Sequence, residues 1–164
     1  MFNLTSLFVK EKQREYADDL EIMKTWAEYT DDNKQMKYLM YEMKMEEPDG
    51  QVIHMYKALK FIRIIRLPKS AKQSEAFMSM HAQILGGVWS QNINFTTIIA
   101  NILEPKAIGL IFCYGVQGVA STIEQAKAKA DYDFAALQGA LQGTYRTLQF
   151  RTLTYEELEW IRSR

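Results

Sequence analysis

Ala58-Leu-Lys-Phe-Ile-Arg-Ile-Ile-Arg-Leu67 is the stretch that says most about the architecture of this chain. It is rich in Ile and Phe, which suit the pleated surface of a β-strand, and it stops at Pro68, so it predicts a strand. Its alternation of apolar and basic residues slips between Phe61 and Ile62. A β-bulge, or burial of both faces of the strand, explains such a slip.

Further elements follow this strand along the chain. Residues 70–91 predict an amphipathic helix whose apolar face includes Ile84, Leu85 and Val88. Residues 93–99 and 108–114 alternate between apolar and polar positions and predict two strands that form a hairpin.

The C-terminal part begins with a capping signal. Ser121 and Glu124 form a capping box that opens a second helix, predicted to run to about residue 145. Residues 148–150 mark a fourth strand, and Thr154 with Glu157 caps a last short helix.

From residue 58 the order is therefore strand, helix, strand, strand, helix, strand. That is the βαββαβ order of the ferredoxin-like fold, the split βαβ, in which two helices cover one face of a four-stranded antiparallel sheet. The sequence thus predicts an α+β, ferredoxin-like domain over residues 51–153 and a terminal helix over residues 154–164.

Residues 1–50 are predicted to be a helical N-terminal arm. Apolar residues recur there at spacings of three and four, in two runs separated by Thr30-Asp-Asp-Asn33, and Pro48-Asp-Gly50 ends the arm with turn residues. The spaced residues are Tyr16, Leu20, Met23 and Ala27, then Met36, Leu39 or Met40, and Met43. The methionines Met36, Met40 and Met43 are candidates for either adaptable core packing or a partner surface.

Charge is balanced overall but unevenly distributed. Twenty acidic residues match twenty basic ones, so no net field draws the whole chain to nucleic acid or to an anionic membrane. Twelve of the acids lie between residues 11 and 49, whereas Glu75 is the only acid between residues 50 and 103. The same stretch carries a basic row, which consists of Lys57, Lys60, Arg63, Arg66, Lys69 and Lys72.

The basic row predicts an interaction edge. On a strand, Lys57 and Arg63 point to one face and Lys60 and Arg66 to the other, so only half the row can meet one ligand. The row therefore favours docking to an acidic protein surface, such as the N-terminal arm of a second copy, over nucleic acid, for which weak contact is the alternative.

Four further positions carry residue types that chemical sites use. Gly115-Val-Gln-Gly118, with Ser121, is a weak candidate for anion binding, because it lacks the Gly-Lys-Ser/Thr ending of a P-loop and reads better as a turn. His54 and His81 lack a partner at metal-ligand spacing, and Cys113 lies on an apolar strand without a cationic neighbour in sequence. The sequence predicts no catalytic residue, no cofactor and no metal.

Three segments carry a resemblance to a known family: Glu104-Pro-Lys-Ala-Ile-Gly-Leu-Ile-Phe-Cys-Tyr-Gly-Val-Gln-Gly118, Thr122-Ile-Glu-Gln-Ala126 and Leu148-Gln-Phe-Arg-Thr-Leu-Thr-Tyr-Glu-Glu157. They resemble the region N-terminal to the motor in conjugative DNA-transfer ATPases of the HerA/FtsK type, the traffic ATPases of type IV secretion. The Walker A and Walker B motifs are absent here, so the resemblance implies an accessory region without its ATPase core and transfers no ATPase residue.

The resemblance implies a non-catalytic docking domain that binds its own copy or other secretion proteins. The alternative is a free-standing ferredoxin-like module that binds nucleic acid or a small ligand. A single cysteine and the lack of a long apolar run predict a cytoplasmic protein that does not insert into a membrane and reaches its inner face only through partners.

Overall fold

The structure is a computed structural model that describes residues 20–30, 35–47, 49–66, 74–90, 93–104, 107–145 and 149–162. The described residues form six strands and three helices. In chain order these are β1 (Leu20–Tyr29), β2 (Met36–Glu46), β3 (Val52–Arg66), α1 (Ser74–Ser90), β4 (Phe95–Glu104), β5 (Ala107–Ala120), α2 (Ile123–Thr144), β6 (Gln149–Thr152) and α3 (Tyr155–Arg162).

The six strands form one antiparallel sheet in the order β1-β2-β3-β5-β4, and β6 also pairs with β3. β5 occupies one edge of β3, so β2 and β6 share the other edge and lie end to end along it. The Met36 N–H donates to the Leu153 carbonyl at 2.7 Å where the two strands meet. β3 is consequently the central strand of the sheet.

The predicted fold class is wrong. The sheet has six strands rather than the four of a ferredoxin-like domain, and the region predicted as a helical N-terminal arm forms the strands β1 and β2. Residues 20–46 therefore extend the sheet that β3 belongs to. The predicted start of the arm, residues 1–19, lies outside the described residues.

The helices lie on both faces of the sheet. α1 and α2 cover one face, where β3 contributes Ile62 to a core with Ile84 of α1 and Leu137 of α2. α3 covers the other face, where Phe61 packs in a core with Leu158. Two-sided burial thus explains the slip in alternation between Phe61 and Ile62, because β3 pairs with β5 in an uninterrupted register across both residues.

Local signals fix several boundaries. Thr154 accepts a hydrogen bond from the N–H of Glu157 at 3.4 Å, and Glu157 accepts one from the N–H of Thr154 at 3.0 Å, which confirms the predicted capping box. α2 begins one residue later than predicted, because Thr122 rather than Ser121 is its N-cap. Gly50 adopts a φ of 82° in the turn between β2 and β3, a conformation that favours glycine.

Among the described residues, none of the helices has the length and the hydropathy that crossing a membrane requires.

Candidate functional site

The basic row does not form an edge, because the described part of it lies on the central strand β3. Lys60 points to the face covered by α2, where its Nζ lies 2.6 Å from Oδ1 of Asp131. The hydroxyl of Tyr38 donates to Oδ2 of the same carboxylate at 2.7 Å. Burial alone would raise the pKa of Asp131, but the hydrogen bonds from Lys60 and Tyr38 lower it, so the carboxylate stays charged and holds α2 to the sheet.

Arg63 points to the opposite face and pairs with Glu157 of α3. Arg151 of β6 also donates to Glu157, with its two terminal nitrogens 2.8 and 2.6 Å from the carboxylate oxygens. One carboxylate therefore serves two guanidinium groups, in a bidentate arrangement with Arg151. This cluster ties α3 to β3 and β6, which is a structural role.

Lys57 is also engaged within the fold. Its Nζ lies 5.9 Å from the ring centre of Tyr41, and burial lowers the pKa of its amine. The side chain of Arg66 is not described, and Lys69 and Lys72 lie outside the described residues. The three basic residues of the row whose side chains are described are thus divided between two faces and used inside the protein.

The candidate methionines lie in β2 rather than on a helix. Met36, Met40 and Met43 are all buried. Met36 packs in the core beneath α3, whereas Met40 packs with Ala126 and Ala130 of α2. These methionines fill the core on both faces of the sheet and are not presented at the surface.

The candidate anion loop is part of strand β5. Gly115 pairs with Phe61 and Gly118 with Ala58 in the β3–β5 register, so neither lies in a phosphate-binding turn. Gly118 is required because α2 lies directly on it: a Cβ there would be 2.7 Å from the backbone nitrogen of Ala130. Ser121 is exposed at the turn before α2.

The residues weighed for metal or nucleophilic chemistry occupy ordinary positions. Cys113 is fully buried in β5, and burial raises the pKa of its thiol to about 11, which confirms it as a core residue. His81 Nδ1 lies 2.7 Å from the hydroxyl of Tyr114, and burial lowers the pKa of its imidazole. His54 is exposed. Over the described ranges, His, Cys, Asp and Glu nowhere gather in a group of three that could hold a metal.

A surface that the sequence did not single out lies along α1 and β4. Trp89 of α1 is 87% exposed, Leu85 is 40% exposed although it was predicted on the buried face, and Ile99 of β4 is 62% exposed. Ile99 lies opposite Phe112, which packs beneath α1 and α2, so Ile99 is on the helix-covered face of the sheet. We call these three side chains, together with the outer edge of β4, the α1–β4 surface.

α1 shares a core cluster with Phe95 of β4. One flank of α2 faces β1 and β2, because Lys127 pairs with Glu28 at 2.7 Å and Asp131 bonds Tyr38. α1 packs on α2 and contacts Tyr114 of β5 through His81, so it lies on the other flank of α2, over β5.

Among the described strands, β1, β4 and the four-residue β6 each pair along one edge only, and the two long ones, β1 and β4, differ in kind. β1 carries Glu21, Lys24 and Glu28, and its register shifts between Ile22 and Lys24. β4 has the sequence Phe-Thr-Thr-Ile-Ile-Ala-Asn-Ile-Leu-Glu, with one charge at its end, and pairs with β5 without a register shift. Charges and bulges are how proteins prevent an edge from pairing with another strand. β1 has both along its length, whereas β4 has only the terminal Glu104.

Comparison with protein-family models, with curated proteins and with solved structures found no match.

Proposed function

We propose that this chain is a non-catalytic docking domain that assembles with another protein chain through the α1–β4 surface. The observation that carries the proposal is the combination of an uncharged, unbulged edge strand with an 87% exposed tryptophan on the adjacent helix. An edge strand offers a row of backbone donors and acceptors to a partner, and tryptophan is among the residues that contribute most to binding energy at interfaces.

The biological setting of this docking rests on the sequence resemblance alone. On that basis we propose that the domain is the accessory region of a DNA-translocating ATPase of conjugation or type IV secretion. There it would work in the cytoplasm and reach the inner face of the membrane through its partners. The purified chain is then expected to show no saturable ATP hydrolysis.

Nucleic-acid binding, the alternative function, has less support. Binding to a phosphate backbone needs several free cationic side chains on one surface. Lys60 and Arg63 are instead paired with carboxylates on opposite faces of the sheet, and Lys57 lies against Tyr41. Protein docking through an uncharged surface is therefore the function that the geometry favours.

The test begins with a photo-reactive amino acid placed at Trp89 and, as a control, at Met23 of β1, which is 51% exposed. Proteins that crosslink at position 89 are identified, purified and titrated against the chain. Because a buried interface tryptophan is worth about 2 kcal/mol or more, Trp89→Ala should weaken the dissociation constant about 30-fold, whereas Met23→Ala should leave it unchanged.

Two results would contradict the proposal. One is that crosslinking at position 89 yields no protein, this chain included, that binds in purified form. The other is that Trp89→Ala and Met23→Ala bind the purified partner as tightly as the unaltered chain.

A further inference from the structure

We infer that the occupant of the α1–β4 surface is a second copy of this chain, joined by antiparallel pairing of β4 with β4 of the other copy about a two-fold axis at Ile99. The inference deepens the proposed function and rests on it, since it names the partner that the docking surface accepts.

The edge of β4 is built for pairing. From Phe95 to Leu103 the strand contains no charged residue, no proline and no glycine. Within the described residues, β5 is the only strand that pairs with it, so its other edge is open there. A long edge of this composition pairs readily with any similar strand, and a symmetric dimer is the commonest way in which natural proteins close such an edge.

On the face that carries Ile99, the sequence of β4 matches itself when it is reversed. When a two-fold axis perpendicular to the sheet relates the two β4 strands, each side chain lies opposite one on the same face of the joined sheet. This requires the axis to pass through a residue rather than between two residues. The register centred on Ile99 sets Phe95 opposite Leu103 and Thr97 opposite Asn101 of the other copy. On the face of the sheet that carries Ile99 the residue types match in pairs, and the exposed Ile99 lies opposite its own copy. On the other face Ile98 lies opposite Ala100 and Thr96 opposite Ile102. No two like charges face each other between residues 95 and 103.

The helices fit the same arrangement. α1 contacts Tyr114 of β5 and shares a core with Phe95 of β4, so it lies on the same face of the sheet as Ile99. A two-fold axis perpendicular to the sheet would bring both α1 helices to that one face of the joined sheet. Leu85 and Trp89, exposed on the isolated chain, lie on the helix that meets its copy.

The area is sufficient for a specific dimer. Nine paired residues give an edge of ~30 Å by ~10 Å, and a 17-residue helix adds ~25 Å by ~10 Å, so each copy contributes ~550 Å². The two copies together bury ~1,100 Å², just above the ~1,000 Å² that a biological interface should clear.

The first experiment is disulfide crosslinking of the full chain. Cys113, the one cysteine of the sequence, is fully buried, so it is kept in every variant and the unaltered chain should form no crosslink. Under mild oxidation, Ile99→Cys should form a covalent dimer. Thr97→Cys alone should not, since two copies of position 97 would be ~13 Å apart along the strands. A mixture of Thr97→Cys and Asn101→Cys should crosslink, and Met23→Cys on the other edge should not.

The second experiment measures association by sedimentation equilibrium. The unaltered chain should be a dimer, and Ile99→Lys, which sets two like charges opposite each other, should weaken the dimer about tenfold or more. Met23→Lys, at a position of β1 that is 51% exposed against 62% for Ile99, should have no effect. Circular dichroism checks that both variants remain folded, and the crosslinking series stands if Ile99→Lys does not fold.

Three outcomes overturn the inference: a monomer with no Ile99→Cys crosslink, a dimer that survives Ile99→Lys, or a Thr97→Cys homodimer in place of the Ile99→Cys one. The proposed function survives these outcomes if Trp89→Ala weakens binding of a different purified partner protein. If Trp89→Ala weakens binding of no partner either, the inference and the proposed function both fail.

Discussion

Gly118→Ala tests how α2 is seated on the sheet. A Cβ at this position would lie 2.7 Å from the backbone nitrogen of Ala130 and 3.0 Å from Cβ of Lys129, and it would also clash with the carbonyl oxygen of Ala126. Ordinary carbon contacts are at ~3.5–4.0 Å, so α2 must move away from the sheet by about 1 Å. The obstacle is mostly helix backbone, which cannot rotate aside as a side chain can.

The expected cost lies at the upper end of overpacking, about 3 kcal/mol, a large part of the ~5–15 kcal/mol that stabilises a typical domain. For a urea m-value of about 2 kcal/mol/M, the midpoint of unfolding should fall by about 1.5 M. Far-UV circular dichroism during urea titration measures this shift. If the chain is a dimer, all variants are compared at one protein concentration.

Gly139→Ala is the matched control, because it makes the same chemical change on α2 itself, on the face of that helix that points away from the sheet. No described residue lies within 4 Å of a Cβ at Gly139, and alanine favours helix over glycine by ~1 kcal/mol, so this variant should gain stability. Equal stability of Gly118→Ala and the unaltered chain, to within ~0.5 kcal/mol, would refute the seating of α2 on Gly118.

Three other predictions concern buried polar groups. Glu157→Gln leaves two partly buried guanidinium groups without a shared carboxylate and should lower the free energy of unfolding in urea by ~1–3 kcal/mol. The double variant Arg63→Met with Glu157→Met should lower it by less. An unchanged free energy of unfolding for Glu157→Gln would contradict a stabilising role for the cluster. Burial raises the pKa of Asp133, so the folded state favours its protonated form and loses stability as pH rises from the unfolded value of about 3.9 through the folded one. Asp133→Asn should therefore be more stable than the unaltered chain at pH ~7 but not at pH ~3, and a difference that does not change with pH counts against this reading. Cys113, with a pKa raised to about 11 by burial, should resist thiol reagents at pH ~8 until urea unfolds the chain, and prompt labelling of the native protein would show that its strand is open.

The elements that the sequence predicts well are those whose signals are local. The capping box of Thr154 and Glu157 needs only four residues, and β3 is recognisable from its Ile and Phe content. The two faces of β3 could also be anticipated from the slip at Phe61 and Ile62, since a strand buried on both sides has no reason to alternate.

β1 and β2 were mistaken for helices because their signals conflict. Met, Leu, Glu and Lys are strong helix formers, and three of the methionines of β2 fall at helical spacing. Tyr38, Leu39 and Met40 are consecutive and all buried, which shows that both faces of β2 are covered and that strand alternation is lost. Tertiary burial overrode local propensity, and a single sequence does not show which contacts will provide that burial.

The surface chemistry was harder to predict because it depends on distant pairs. Lys60 and Asp131 are separated by 71 positions, so the basic row could not be recognised as internally paired before the sheet order was known. The edge of β4 did carry a usable signal, namely nine residues without a charge between positions 95 and 103. Whether such a strand is central or at an edge is decided only by the topology.

The end-to-end placement of β2 and β6 along β3 also has a consequence for synthesis on the ribosome. β1, β2 and β3 can assemble as a meander as soon as they emerge, but the stretch from Ile62 to Arg66 waits for β6, which is more than 80 residues further along. At ~5–20 residues per second, the edge of this stretch that faces β6 stays unpaired for on the order of ten seconds, although β5 reaches the opposite edge earlier. During that interval nascent chains on neighbouring ribosomes can associate through it, so slow translation between β3 and β6 should lower the soluble yield more than slow translation elsewhere.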